Sequence, residues 1–154
     1  MDRADWAPSP ADVGAVIRAR TKTSVGDEPG TFNSNTRPTG DQCWDLIDTA
    51  MSDIAAEMGD IPDLVQDNAR RVAALGAACL VELSFYPEQI NSGRSPYPQI
   101  KAWYDAAFAR LKMQVANAND DGVIEDDTDL MAESSFPDVD PCDPNAIVGW
   151  SSRW

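Results

Sequence analysis

Ile61–Tyr86 reads IPDLVQDNARRVAALGAACLVELSFY, the longest stretch of the chain that suits one uninterrupted helix. Within it, Val72–Leu83 (VAALGAACLVEL) holds a single charged residue, Glu82. A surface helix carries one apolar stripe, whereas a helix apolar nearly all round has to be covered on several sides. The stretch therefore predicts the central post of a small helical domain. Its polar residues Gln66, Asp67, Asn68, Arg70 and Arg71 come early, which places the first half at the surface and the second half inside. Ala73, Ala74, Gly76, Ala77 and Ala78 let neighbouring helices approach closely. Gly76 costs about 1 kcal/mol against alanine by propensity, so a close backbone contact is its expected compensation. Cys79 on the same face reads as an inert buried thiol.

Partners for such a post are legible on both sides of it. Ser9-Pro10 before ADVGAVIRAR marks a helix start, since Ser9 can cap and Pro10 needs no N–H in the first turn. Val13, Val16 and Ile17 give this short helix its stripe, and Gly14 weakens it. Thr39-Gly40-Asp41-Gln42 is a capping box. After it, Trp44, Ile47, Met51, Ile54 and Met58 recur at spacings of three and four, one apolar face ending at Gly59. Asp41, Asp45 and Asp48 share another face and read as solvated carboxylates, not as a metal site. Pro87–Arg94 reads as a loop. Ser95-Pro96 then opens a last helix, with an inner stripe of Tyr97, Ile100, Tyr104, Ala107, Phe108, Leu111 and Val115 and Trp103 on its shoulder. Between the first two helices, Thr21–Pro38 holds the turn-prone Gly26-Asp27-Glu28-Pro29-Gly30 and predicts a hairpin or an extended loop. A lone hairpin is marginal in water, so it has to lean on the helices or on another subunit.

The expected architecture is all-α: a helical domain over 1–117 with the hairpin or loop at 21–38, and an acidic linker with an extended tail over 118–154. The tail is set apart by charge. It carries ten acids against one base, Arg153, and accounts for most of the net charge of −14. Phe136, Ile147, Val148, Trp150, Arg153 and Trp154 end it. Large aromatics on a tether suit docking to a partner surface, and they equally suit folding back onto the chain's own helices.

The same composition narrows the chemistry. No histidine occurs, which removes His-based acid–base catalysis, Ser-His-Asp and Cys-His nucleophiles and His-ligated zinc. Three cysteines without a CxxC pair suit a reducing, intracellular setting. MDRADWAPSP has no apolar leader core, no run is long enough to span a membrane, and neither a Walker A motif nor GxGxxG is present. The acidic balance disfavours wrapping nucleic acid by counterion release. Residues 117–128 approach a calcium loop, with Asn117, Asn119, Asp121 and Glu125 as oxygen ligands and Gly122 at the turn. Asparagine at the first position and Thr128 at the twelfth argue for an acidic linker instead. The expectation is a non-enzymatic protein without cofactor or metal.

VIRARTK, then GTFNSNTRPT ahead of a helix, then AALGAACLVELSFYPEQ and GRSPYPQIKAWYDAAFARL resemble, in that order, the head-to-tail adaptor (connector) proteins of long-tailed phages. The likeness is greatest to those of phages infecting actinobacteria and spans roughly residues 10–115. The phrase SFYPEQ…GRSPY, with Gly93, Arg94, Ser95, Pro96 and Tyr97, is its most distinctive part. The resemblance implies a homo-oligomeric ring, usually of twelve, between the portal protein and the next neck (stopper or tail) protein. Such a ring belongs to the virion neck, is built in the host cytoplasm, and lets double-stranded DNA pass without binding it. It further implies that the 21–38 segment, with Val25, Thr31, Phe32 and Arg37, is stabilised by the adjacent protomer, and that the tail reaches the portal or a neighbouring subunit. The alternative reading is a small acidic binding or inhibitor protein of the DNA-mimic type.

Overall fold

A computed structural model describes residues 4–24, 26 and 30–120. These fall within one unit, Met1–Gly122, and a second unit, Val123–Trp154, lies outside the described residues. The chain runs α1 (Pro10–Val16), a 3-10 turn (Arg18–Thr21), α2 (Gly40–Met58), a 3-10 turn (Asp63–Val65), α3 (Gln66–Phe85), α4 (Pro87–Asn91) and α5 (Tyr97–Asp120). The starts follow the sequence signals. Ser9 and Asp12 close a reciprocal capping box on α1, and Thr39 and Gln42 do the same on α2.

The described residues are all-α, and α3 is the post, packing against α1, α2, α4 and α5. Every residue from Val72 to Cys79 is buried, while Asp67, Asn68, Arg70 and Arg71 are exposed. Leu83 departs from the expected enclosure and is exposed. On α2, Ile47 and Ile54 are fully covered, with Cys43 and Ala50 beside them, and Trp44, Met51 and Met58 form a half-buried border. On α5, Ile100, Leu111 and Val115 point inward. Asp41, Asp45 and Asp48 are all exposed.

Gly76 is where three helices converge. A Cβ there would lie 3.1 Å from the Tyr104 ring of α5 and 3.3 Å from the Ala50 Cβ of α2. The close approach compensates the poor helix propensity, as the run of small residues suggests. Burial pushes the Cys43 thiol up to about 12 and the Cys79 thiol to about 11, so both stay protonated at neutral pH.

Three elements differ from expectation. The central helix begins at Gln66 and not at Ile61, because Pro62 is extended and a separate 3-10 turn, Asp63–Val65, precedes α3. Pro87–Asn91 is a short helix instead of a loop, because a proline at the first position leaves the turn free to form. The apolar period fades near Asn117, yet α5 continues to Asp120, since a solvent-exposed last turn needs no inward residue. Over 21–38, where the sequence allows a hairpin or an extended loop, none of the described residues lies in a β-strand, and 30–38 is an extended, turn-containing loop with a cis Arg37–Pro38 bond. No described helix is long and apolar enough to cross a membrane.

Candidate functional site around Glu82

Glu82 is the one charge in the apolar half of α3, and it is 0% exposed. Taking an ion out of water costs several kcal/mol, recovered only when its lone pairs are filled by well-placed donors. Arg20, in the 3-10 turn after α1, supplies two. Its Nε donates to Oε1 at 2.6 Å and its Nη2 to Oε2 at 2.8 Å, a bidentate fork. Ser95 Oγ donates to Oε2 at 2.6 Å and accepts from the Tyr97 N–H at 3.0 Å, so one hydroxyl both starts α5 and ties it to α3.

The guanidinium has further partners. Arg20 Nη2 donates to Gln89 Oε1 of α4 at 2.9 Å, and the guanidinium carbon sits 3.7 Å over the Tyr86 ring centre. Tyr86 in turn donates its hydroxyl to the Arg37 carbonyl. Burial raises the Tyr86 hydroxyl above its ordinary range, with Arg20 opposing, so it remains a donor at neutral pH. Among the described residues, no buried side-chain nitrogen or oxygen lacks a partner.

The network holds the 30–38 loop beside it. Thr36 Oγ1 accepts from the Asn33 N–H at 2.8 Å and donates to the Pro38 carbonyl at 2.7 Å, rounding the loop. Phe32 drops into the cluster of Val13, Ile17, Cys43 and Ile47. Gly14 on α1 makes room: a Cβ there would meet the Thr21 methyl at 3.0 Å and the Gly30 carbonyl at 3.1 Å. Next to the ion pair is an open cleft bordered by Arg18, Ala19, Gln89, Arg94 and Pro96. Glu82 has both oxygens engaged by donors, an arrangement suited to fixing segments in place. Among the described residues, no three His, Cys, Asp or Glu side chains gather where a metal could bind.

The residues singled out from sequence separate clearly. Thr31 and Arg37 are exposed on the loop, while Phe32 is 5% exposed and packed in the core of its own chain. As a subunit contact, Phe32 can act only as support, since an apolar ring is more stable under its own helices than in water. Val25 lies outside the described residues, as do Phe136, Ile147, Val148, Trp150, Arg153 and Trp154. Asn117 and Asn119 are exposed on α5, where residues two apart point to nearly opposite sides of a helix. That geometry does not converge two ligands on one ion, and Asp121 and Glu125 are outside the described residues. The Arg20–Glu82 pair was missed. A lone charge in an apolar run signals a buried partner, but Arg18, Arg20, Arg37 and Arg94 are equal candidates until the fold is known.

No protein-family model, curated protein or solved structure matches this chain.

Proposed function

We propose that this protein is a structural head-to-tail adaptor of a long-tailed phage: protomers form a ring in the virion neck, between the portal and the next neck component, and continue the DNA channel. One observation carries the reading. The phrase that bears the resemblance, SFYPEQ…GRSPY, supplies Tyr86, Gln89 and Ser95 to a single network with Glu82 and Arg20. Residues scattered over VIRARTK, the 30–38 loop and the α4–α5 junction are thereby one physical unit, as expected of a module that presents loops to neighbours.

In this role Glu82 and Arg20 are internal fasteners, and Thr31, Arg37 and Arg94 are the exposed groups they position. An acidic surface suits a channel through which DNA passes without sticking. A ring of twelve follows the resembled family, and assembly would begin in the host cytoplasm. The role assigns no reaction and no cofactor. Purified chain mixed with portal rings, imaged by electron microscopy, should show added ring density beneath the portal. A chain that stays a compact monomer beside portal rings would remove the reading.

The runner-up is an acidic binding or inhibitor protein. The exposed row Asp41, Asp45 and Asp48 on α2 favours it. Replacing the three with Asn should abolish binding to a basic partner in that case and leave ring assembly intact in the first.

A further inference from the structure

The groove between α3 and α5 runs against the charge of the molecule. It encloses about 320 Å³ and is lined by Asn68, Arg71, Val72, Trp103, Arg110 and Gln114, together with small alanines. Among the described residues no carboxylate lines it, in a chain whose net charge is −14. Arg71 and Arg110 are exposed, and among the described residues neither makes an ion pair or side-chain hydrogen bond. Trp103 stands on the rim 52% exposed, and Val72 forms an apolar floor at 2%. Asn68 Nδ2 donates to Gln114 Oε1 at 3.0 Å and closes one end. Past Trp103, toward α1, an adjoining cleft mixes Arg70 and Arg71 with Asp12 and Asp67, so Arg71 is shared with nearby carboxylates while Arg110 borders the α3–α5 groove alone.

We infer that this groove receives the acidic, aromatic segment 123–154 of a second copy of the chain. The chemistry is complementary on both counts. Residues 123–154 carry eight acids against the single base Arg153, and arginine forks pair with carboxylates bidentately. The same segment brings Phe136, Trp150 and Trp154, and an exposed indole beside an apolar floor is a seat for such rings. Nucleic acid is the weaker fit. Two arginines release few counterions, and the rest of an acidic surface repels phosphate. The volume is that of a site for a few side chains, in the lower part of the range of about 300–1,000 Å³ for ligand pockets. Copies linked this way make a heterologous, head-to-tail contact, the kind that closes into a ring when the rotation permits. The inference rests on the self-assembly in the adaptor reading, and not on the identity of the neck.

The test uses the full chain in three forms, compared by sedimentation over a concentration series at low salt. The first is unaltered, the second is Arg71→Glu/Arg110→Glu, and the third is Asp126→Lys/Asp127→Lys/Asp129→Lys. Circular dichroism checks that all three keep their helices. The unaltered chain should self-associate, and each variant should do so at least about tenfold more weakly. Mixing the two variants should restore association, because reversed groove meets reversed tail. An unaltered chain that is monomeric throughout, a groove variant that associates as the unaltered chain does, or a mixture without rescue each overturns the inference. Ring density on the portal that persists in the groove variant would overturn it too, while leaving the adaptor reading standing. Rescue without any assembly on portal rings would do the reverse.

Discussion

At the C-terminal end of α3, four segments meet on the polar cluster of Arg20, Glu82, Tyr86, Gln89 and Ser95, whereas its N-terminal half is held by apolar contact. There Ala69, Val72 and Ala73 pack with Trp6, Ile54, Val65, Leu111 and Val115. Polar contacts in that region stay at the surface: Asn68 with Gln114, Arg70 with the Asp5 carbonyl, Lys112 with Glu57. The two ends therefore fail differently. Apolar packing loses stability by area and cavity, and neighbours can settle into part of the loss. A bidentate ion pair has one geometry, so it fixes where the attached segments lie but adds little net energy over a hydrophobic substitute. The polar end is where the loop, α4 and the start of α5 need exact placement relative to one another. Specificity at that end and bulk stability at the other divide the work.

Glu82→Ala should produce the largest effect. It strands a guanidinium only 12% exposed, a loss of about 3–5 kcal/mol in denaturant unfolding. Replacing both partners, as Arg20→Met with Glu82→Leu, should recover most of that stability, because no unpaired charge remains. What the double variant should not recover is the anchoring of 21–38, measured as resistance to limited proteolysis. A double variant as protease-resistant as the unaltered chain would show that apolar packing alone seats the loop. Leu111→Ala comes next, at about 3 kcal/mol for a fully buried leucine. Its expected signature is the opposite one: lower stability with the 21–38 segment no more cleavable under native conditions. Equal loop cleavage in Leu111→Ala and Glu82→Ala would erase the distinction between the ends.

How much of this the sequence revealed follows the same division. The apolar packing was legible, because periodicity records which face of a helix is covered: Ile54, Leu111 and Val115 of the N-terminal cluster, and Ile47 and Ile100 of the cluster around the other half, all appear in the stripes and all are buried. The caps at Ser9 and Thr39 were legible because their bonds are local. Gly76 announced a close approach without naming Tyr104 and Ala50 as its neighbours. The polar end was not legible, since its bonds join positions up to 69 residues apart, and pairing at that distance leaves no period. Phe32 shows the cost. From sequence its loop can lean either on the chain's own helices or on another subunit, because the Tyr86–Arg37 tether leaves no local signal. The α3–α5 groove escaped notice for a related reason: Arg71, Trp103 and Arg110 are ordinary surface residues on two helices until the packing sets them side by side.

Glu57 with Lys112 is the smallest test and the sharpest contrast to Glu82, since it is also a carboxylate paired across helices. Both side chains are about half exposed, so water and salt screen the pair, and holding two long side chains costs entropy. The hydrogen bond from Lys112, then its charge, hold the Glu57 carboxyl below the usual carboxylate range. A folded-state value lowered in this way stabilises the fold above the unfolded-chain value of about 4.3, and that contribution disappears as pH falls through the lower, folded value. Glu57→Gln should accordingly unfold at slightly lower urea than the unaltered chain at pH 7 and low salt. The difference should vanish in strong acid and shrink in high salt. Glu82→Ala, by contrast, should keep most of its deficit in high salt, because a buried pair is poorly screened. If Glu57→Gln cost as much as Leu111→Ala at pH 7, the apolar end would also depend on a specific ion pair, and what separates the two ends would be position along α3 alone.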